Sequence, residues 1–283
     1  MALAMYKVER SIMVNNISRR EFLKLSLAAS GALGLSLAGC NIASEDDPLL
    51  VVVDEWISAL NAGEVDRFTR LHTENAIATI HNRRETISGR EHLYEGYRSS
   101  TQNEIDKIIA FRQEDLICLI VDATKLERSL CYVFNFAGEL IDQVYEYDSG
   151  AFNLASSPDF PGIELLQMDE GLNNRLEIME EIFVDGLNNR EFSAEFVTDS
   201  ILFYVPNQPI PATGKDSFVR DGEAYAQYFR AVMHEKIHAF GQGNLACLHV
   251  KTEGAGKRSL CFVAEFDDGK IAELYEFWSE ARL

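Results

Sequence analysis

Apolar residues in "VVVDEWISALNAG" recur at helical spacing through Val52, Trp56 and Leu60, which predicts a helix there. Farther along, Leu176, Ile178, Met179, Ile182, Phe183 and Leu187 recur in the same way and predict a second such helix. After each, the pattern predicts a short helix ending near "LHTE" or "FVTD", then a strand and loop running to a turn at Gly89 or Gly214. A further helix and three strands rich in Val, Ile, Phe and Tyr complete each stretch. In "RSLCYVFNF", Leu130, Tyr132, Phe134 and Phe136 alternate with Ser129, Cys131, Val133 and Asn135. In "RSLCFVAEF", Leu260, Phe262, Ala264 and Phe266 alternate with Ser259, Cys261, Val263 and Glu265. Period-two alternation of this kind puts one set on each face of a strand. Helices first and an antiparallel sheet after is an α+β pattern.

The two stretches repeat one another. "SALNAGEVDRF" matches "DGLNNREFSAEF", "DKIIAF" matches "EKIHAF", "LICL" matches "LACL" and "VYEY" matches "LYEF", all in the same order. The reading is two homologous domains, 48–149 and 165–283, joined by a linker over 150–164 whose "DSGAFNLASSPDFPG" has the Gly, Ser and Pro of a connecting segment.

Composition adds a globular class: the 283 residues are 47% hydrophobic and 25% charged, unlike a disordered chain. The net charge of −19 repels nucleic-acid phosphates, so no nucleic-acid partner is expected. The first residues read as an address. "SRREFLK" sets Arg19 and Arg20 ahead of an apolar, small-residue run that ends in "LAGC" at Cys40. The pair of arginines resembles the bacterial twin-arginine export signal, and "LAGC" resembles a lipobox, in which the cysteine is lipidated and becomes the new N-terminus. The resemblance implies a signal peptide over 1–39, a tether over 40–47 and a lipoprotein of the bacterial cell envelope facing the periplasm, with the membrane as a partner through its anchor. Asn41 in place of an aspartate after the lipid cysteine favours the outer membrane.

"ALNAGEVDRFTRLHTENA…GRE" and "DDGKIAELYEFW" resemble the NTF2-like superfamily and, within it, the SnoaL-like group. The resemblance implies two tandem cones, each a curved antiparallel sheet wrapped on helices around a pocket. It puts the aromatic face of each RSLC strand on the concave side and the cysteine face on the convex side, through which such domains commonly pair. An internal pseudo-dimer is therefore expected. A small apolar or aromatic ligand would meet Ile80, Tyr132 and Phe134 in one cone and Val205 and Phe262 in the other. Ketosteroid isomerases of this superfamily carry a general-base aspartate at the position that falls on Ile80 and Val205 here, and neither takes a proton. Limonene-type epoxide hydrolases place an acid where Glu146 and Glu276 stand, but their arginine and second acid have no match in "LICLIV" or "LACLHV". SnoaL-type cyclases need little beyond one pocket acid, which leaves Glu146 and Glu276 as the candidate catalytic residues. The leading expectation is binding without catalysis; the others are a cyclase, isomerase or hydratase, and a scaffold whose cones are filled by their own side chains.

Four cysteines remain after Cys40. Cys118 and Cys131 flank one expected hairpin, Cys247 and Cys261 the other, and a directly opposed pair lies within disulfide reach. The two hairpins differ by one residue, so both pairs are not expected in register without a bulge; small half-buried hydrophobes are the favoured reading and within-repeat disulfides the alternative. His81 is expected to face away from the pocket if Ile80 faces in. His234 and His238 have the spacing that chelates a metal on a helix, yet aligned Ile109 at the His238 position and Ile120 at the His249 position favour ordinary histidines. No metal and no cofactor is expected: no zinc spacing, P-loop, dinucleotide fingerprint or nucleophile elbow occurs.

Overall fold

The computed structural model describes residues 47–81, 83, 86–101, 104–157, 163, 165, 170–228, 233–253 and 259–280. Arg19, Arg20 and Cys40, with the whole proposed signal, lie outside the described residues.

The first half opens with α1 (Pro48–Ala62). Asp47 caps it, its carboxylate accepting from the N–H groups of Leu49 at 3.0 Å and Leu50 at 3.3 Å, and Pro48 starts the first turn. Its buried stripe is Leu49, Leu50, Val53, Trp56, Ile57, Ala59 and Leu60. Short α2 (Val65–Arg70), strands β1 (His72–Thr79) and β2 (Ile87–Ser88), and α3 (Arg90–Thr101) follow. Gly89 turns the chain between β2 and α3 at φ +87°, and Gly214 does so at the same angle in the second half. Only glycine adopts that conformation without strain.

Four strands then complete the half: β3 (Asp106–Gln113), β4 (Leu116–Ala123), β5 (Arg128–Ala137) and β6 (Leu140–Asp148). The expectation of three is corrected. "DKIIAFRQ" and "LICLIVDA" are separate strands, joined by a tight turn in which Glu114 takes φ +54°. Strand order runs β2-β1-β6-β5-β4-β3, with β1 parallel to β6 and the long hairpins antiparallel.

The second half repeats the order. Helix α4 (Leu172–Glu180) continues through a π-helical turn, Glu181–Asp185, into α5 (Gly186–Asn189). Then come β7 (Val197–Tyr204), β8 (Ala212–Thr213), α6 (Lys215–Tyr228), β9 (Met233–Gln242), β10 (Leu245–Glu253), β11 (Ser259–Asp267) and β12 (Lys270–Ser279). Their order is β8-β7-β12-β11-β10-β9, again with one parallel pair, β7 on β12. A bulge interrupts β5–β6 at Asn135/Phe136 and β11–β12 at Glu265/Phe266, bending each sheet at the same place. The architecture is α+β, with each sheet curved over its helices.

Three cores result. Leu130, Tyr132, Phe134 and Phe136 face the helices of the first half; Leu260, Phe262, Ala264 and Phe266 face those of the second. Cys131, Val133, Cys261 and Val263 lie in a third cluster shared by both halves. Across that cluster equivalent positions meet one another. Phe111 faces Phe240 at 6.1 Å between ring centroids, Cys131 Sγ is 3.6 Å from Cys261 Sγ, and Asp148 pairs with Trp278 in the ladder between β6 and β12. The N–H of Arg112 donates to Gln242 Oε1 at 3.1 Å, and the N–H of Gly241 donates to Gln113 Oε1 at 2.9 Å. Such self-complementary contacts are those of a two-fold interface. The segment after β6 adds to the same core, burying Phe152 and Leu154.

Of the two cysteine readings the structure takes the hydrophobe one and not the disulfides: Cys118, Cys131, Cys247 and Cys261 are all free and fully buried. In the ladder Cys118 faces Val133 while Cys131 faces Ile120, and Cys247 faces Val263 while Cys261 faces His249. Both pairs are therefore diagonal in the same sense. The thiols touch instead, at 3.7 Å for Cys118–Cys131 and 3.6 Å for Cys247–Cys261. Among the described residues no helix is long and apolar enough to cross a membrane.

Candidate functional site

The interior of the first half is occupied by its own aromatic rings. Trp56 of α1, fully buried, sits 5.1 Å from Tyr97 of α3, 5.2 Å from Tyr132, 5.4 Å from Phe134 and 5.6 Å from Phe68, measured between centroids. Ile80 belongs to the same packed core. Each fully buried ring of this kind stabilises the fold by roughly 2–3 kcal/mol over an exposed one.

Glu146 is held in an ion pair. The structure places it at 1% exposure with His81 against it, and the expectation that His81 faces away is corrected. Strand β1 ends at Thr79, so strand alternation no longer governs the side chain of residue 81. Nδ1–H of His81 donates to Glu146 Oε1 at 2.7 Å and Nε2–H to Asp148 Oδ2 at 3.0 Å; Arg128 also pairs with Asp148. Burial alone would lower the imidazole pKa, but the two carboxylates outweigh it and raise it to about 9. His81 is thus a cation at neutral pH, and Glu146 is its ion-pair partner. Burial and then the Glu146 charge push the phenols of Tyr97 and Tyr132 upward.

The second half differs at the equivalent positions. Element order and register set Phe183 where the first half has Trp56, Gly222 for Tyr97, Phe262 for Tyr132, Pro206 for His81 and Trp278 for Asp148. A cavity of about 230 Å³ opens as a result, walled by Phe183, Leu187, Phe192, Phe203, Val205, Phe218 and Phe262. Glu276, Asp221, Gln208 and Tyr225 supply its polar groups. Phe183 and Phe262 stack at 4.2 Å with 15° between planes. A Cβ on Gly222 would stand 2.7 Å from the Phe192 ring, so the glycine is what lets that ring close the wall.

Glu276 is 3% exposed. Its twin in the first half has an imidazolium; the proline and tryptophan at the matching positions here supply no charge. Burial therefore raises its pKa to about 8, against a smaller lowering by the Tyr225 hydroxyl that donates to it. At neutral pH it carries its proton and can donate a hydrogen bond.

Of the sequence-derived candidates, Val205, Phe262 and Glu276 meet in this cavity, while Ile80, Tyr132, Phe134 and Glu146 lie in the filled first half. Sequence reasoning missed Gly222, Asp221, Tyr225 and Gln208. The signal for Gly222 was present: "GREHLYEGYR" and "GKDSFVRDGE" align without a gap and oppose Tyr97 to Gly222.

The histidine pair is also corrected. His234 and His238 lie on strand β9, not a helix. His249 pairs with His238 and Val250 with Lys236, so Ile237 is bulged and the alternation flips between the two histidines. His234 turns to Asn188, while His238 joins Tyr145 and His249 in the shared core. Desolvation holds His234 down to about 4 and His249 well below the usual imidazole range. Among the described residues no group of His, Cys, Asp and Glu has the arrangement of a metal site.

No family model matches the chain, and no curated protein does. Solved structures similar to it include an NTF2-like protein of unknown function from Mesorhizobium loti, 19% identical, covering 41% of this chain and 99% of that one with a TM-score of 0.35. A SnoaL-like protein of unknown function from Burkholderia thailandensis is 16% identical over 36% of this chain and 96% of its own, TM-score 0.33. An NTF2-like protein of unknown function from Burkholderia xenovorans is 14% identical over 36% and 82%, TM-score 0.33. Each likeness spans most of a solved chain and about two fifths of this one or less, and the cone of each half is read from its own strands and helices.

Proposed function

We propose that the second half binds a small, predominantly apolar or aromatic molecule without transforming it, with Glu276 as the polar anchor. The observation that carries this is the cavity of about 230 Å³ walled by phenylalanines, at the place where the other half fills the same space with Trp56 and Tyr97. In this reading the chain is a tandem of two SnoaL-like domains packed as an internal pseudo-dimer, the first domain serving as the rigid partner of the second. Export and anchoring belong to the same proposal and rest on Arg19, Arg20 and Cys40.

One observation favours a second reading. An acid raised to about 8 in an apolar cavity is suited to proton transfer near neutral pH, as an isomerase, cyclase or hydratase requires. Glu276 would be the acid-base group, and Tyr225 would hold its carboxyl in place.

Native mass spectrometry of the chain purified from a bacterial envelope tests the first reading. The expected result is one retained small molecule per chain, lost in Gly222→Tyr, which restores the ring that fills the first half. A chain that is empty, and that takes up no apolar probe in either form, overturns it. Deuterium uptake from D2O into the retained molecule, abolished by Glu276→Gln, would decide for catalysis.

A further inference from the structure

We propose that the ligand of this cavity is a compact cation with an apolar body, such as an ammonium bearing methyl or aryl groups. The inference rests on the binding reading above and adds the charge of the ligand.

The lining has a sign. Two carboxyl groups, Glu276 and Asp221, line the space, and none of the described lining residues is a lysine, arginine or histidine. Arg220 pairs with Asp221 at 2.9 Å but is 69% exposed and is not part of the wall. Five phenylalanines and Tyr225 supply ring faces, whose negative quadrupoles attract a cation stripped of water. A neutral ligand with an acceptor oxygen finds few donors here, only the Glu276 proton and the Gln208 amide, since the Tyr225 hydroxyl is engaged with Glu276. The size fits a single ring with a small head group: a cavity of about 150 Å³ already admits benzene, and this one is about 230 Å³. The chain's net charge of −19 concentrates cations around it.

The charge census around Glu276 is short. Tyr225 of α6 bonds to it; around the same cavity α6 also presents Asp221, β11 Phe262, β7 Phe203, the loop after β7 Val205 and Gln208, and the π-helical turn and α5 Phe183 and Leu187. Among the described lining residues none is positively charged, and Arg220, the partner of Asp221, is 69% exposed. In the empty cavity Glu276 holds its proton up to pH about 8. A bound cation supplies the missing counter-charge, so binding expels that proton. Affinity for a permanently charged ligand must then rise with pH, roughly 100-fold from pH 6 to pH 9 for one proton released from a group of this pKa.

Isothermal titration of the full chain with benzyltrimethylammonium tests this, beside its uncharged isostere neopentylbenzene and the ketone benzylacetone. Buffers of different ionisation enthalpy count the protons. The expected result is that the ammonium binds most tightly at pH 9, releases close to one proton per site at pH 7, and weakens toward pH 6. In Glu276→Gln its affinity falls and the pH dependence vanishes, and in Gly222→Tyr binding is lost. If the hydrocarbon or ketone binds and the ammonium does not, or the ammonium binds with no proton release, the cation inference is overturned while the cavity reading stands. If none of the three binds, both fall together.

Discussion

Replacing Glu276 by Gln isolates the cost of a buried acid. The folded chain holds this carboxyl at a pKa of about 8, against an ordinary value of 4.5. Between those two values the folded state keeps a proton that the unfolded state has released, so stability falls as pH rises across that window. One pKa unit is about 1.4 kcal/mol. The burden is therefore absent at pH 4, about 3 kcal/mol at pH 7 and close to 5 kcal/mol above pH 8. Gln keeps the shape and can still accept from Tyr225, but it does not titrate. The difference in unfolding free energy, variant minus parent, is expected to climb by about 3 kcal/mol between pH 4.5 and pH 7 and to level off above pH 8. His81 has the same sign, because its raised pKa gives stability that is full below pH 6.5 and lost as pH rises through about 9. That contribution is common to both chains and cancels in the difference. Urea denaturation followed by the fluorescence of Trp56 and Trp278 at four pH values between 4.5 and 9 measures it. Parallel stability curves would refute the argument, and with it the claim that Glu276 is neutral in the cavity.

His81→Ala should cost on the order of 3 kcal/mol at pH 6 by leaving Glu146 without its cation, partly offset by Arg128 on Asp148. The loss should shrink toward pH 9 as the parent's imidazolium titrates, and a pH-independent loss would argue against the ion pair. Cys118, Cys131, Cys247 and Cys261 should resist iodoacetamide in the folded chain and all react after unfolding, since each is fully buried and burial pushes the first three thiols up. Mass spectrometry counts the adducts; fast labelling of any of the four in the folded chain would contradict the shared core.

What was legible in the sequence was periodic. Alternation along the RSLC strands sorted Tyr132 and Phe262 from Cys131 and Cys261, and the structure sends those sets to different cores. Periodicity ended where strands did. Its rule failed at His81, two residues past the end of β1, and at His234 and His238, which a bulge at Ile237 turns to opposite faces. A disulfide needed each cysteine pair directly opposed, whereas the register pairs Cys118 with Val133 and Cys247 with Val263. The choice between Glu146 and Glu276 depended on residues far away in sequence. No reading of "YEY" against "YEFW" shows that one glutamate has an imidazolium beside it and the other has a cavity.

The two halves put the same fold to opposite energetic ends. In the first, the rings of Trp56, Tyr97, Tyr132, Phe134 and Phe68 fill the cone, and the two buried acids, Glu146 and Asp148, both pair with His81. In the second, the glycine at Tyr97's position and the phenylalanine at Trp56's leave about 230 Å³ unfilled. At about 24 cal/mol per Å³ such a space costs up to about 5 kcal/mol. The acid facing it has lost its partner as well, through Pro206 and Trp278. Four separate positions had to change for these two costs to fall at one place. A chain serving only as a scaffold gains nothing from them, since in its sister half Trp56, Tyr97 and Tyr132 occupy the corresponding space. Admission of a molecule, as proposed above, accounts for the open cavity and its buried acid together, in a half that shares one core with its filled sister.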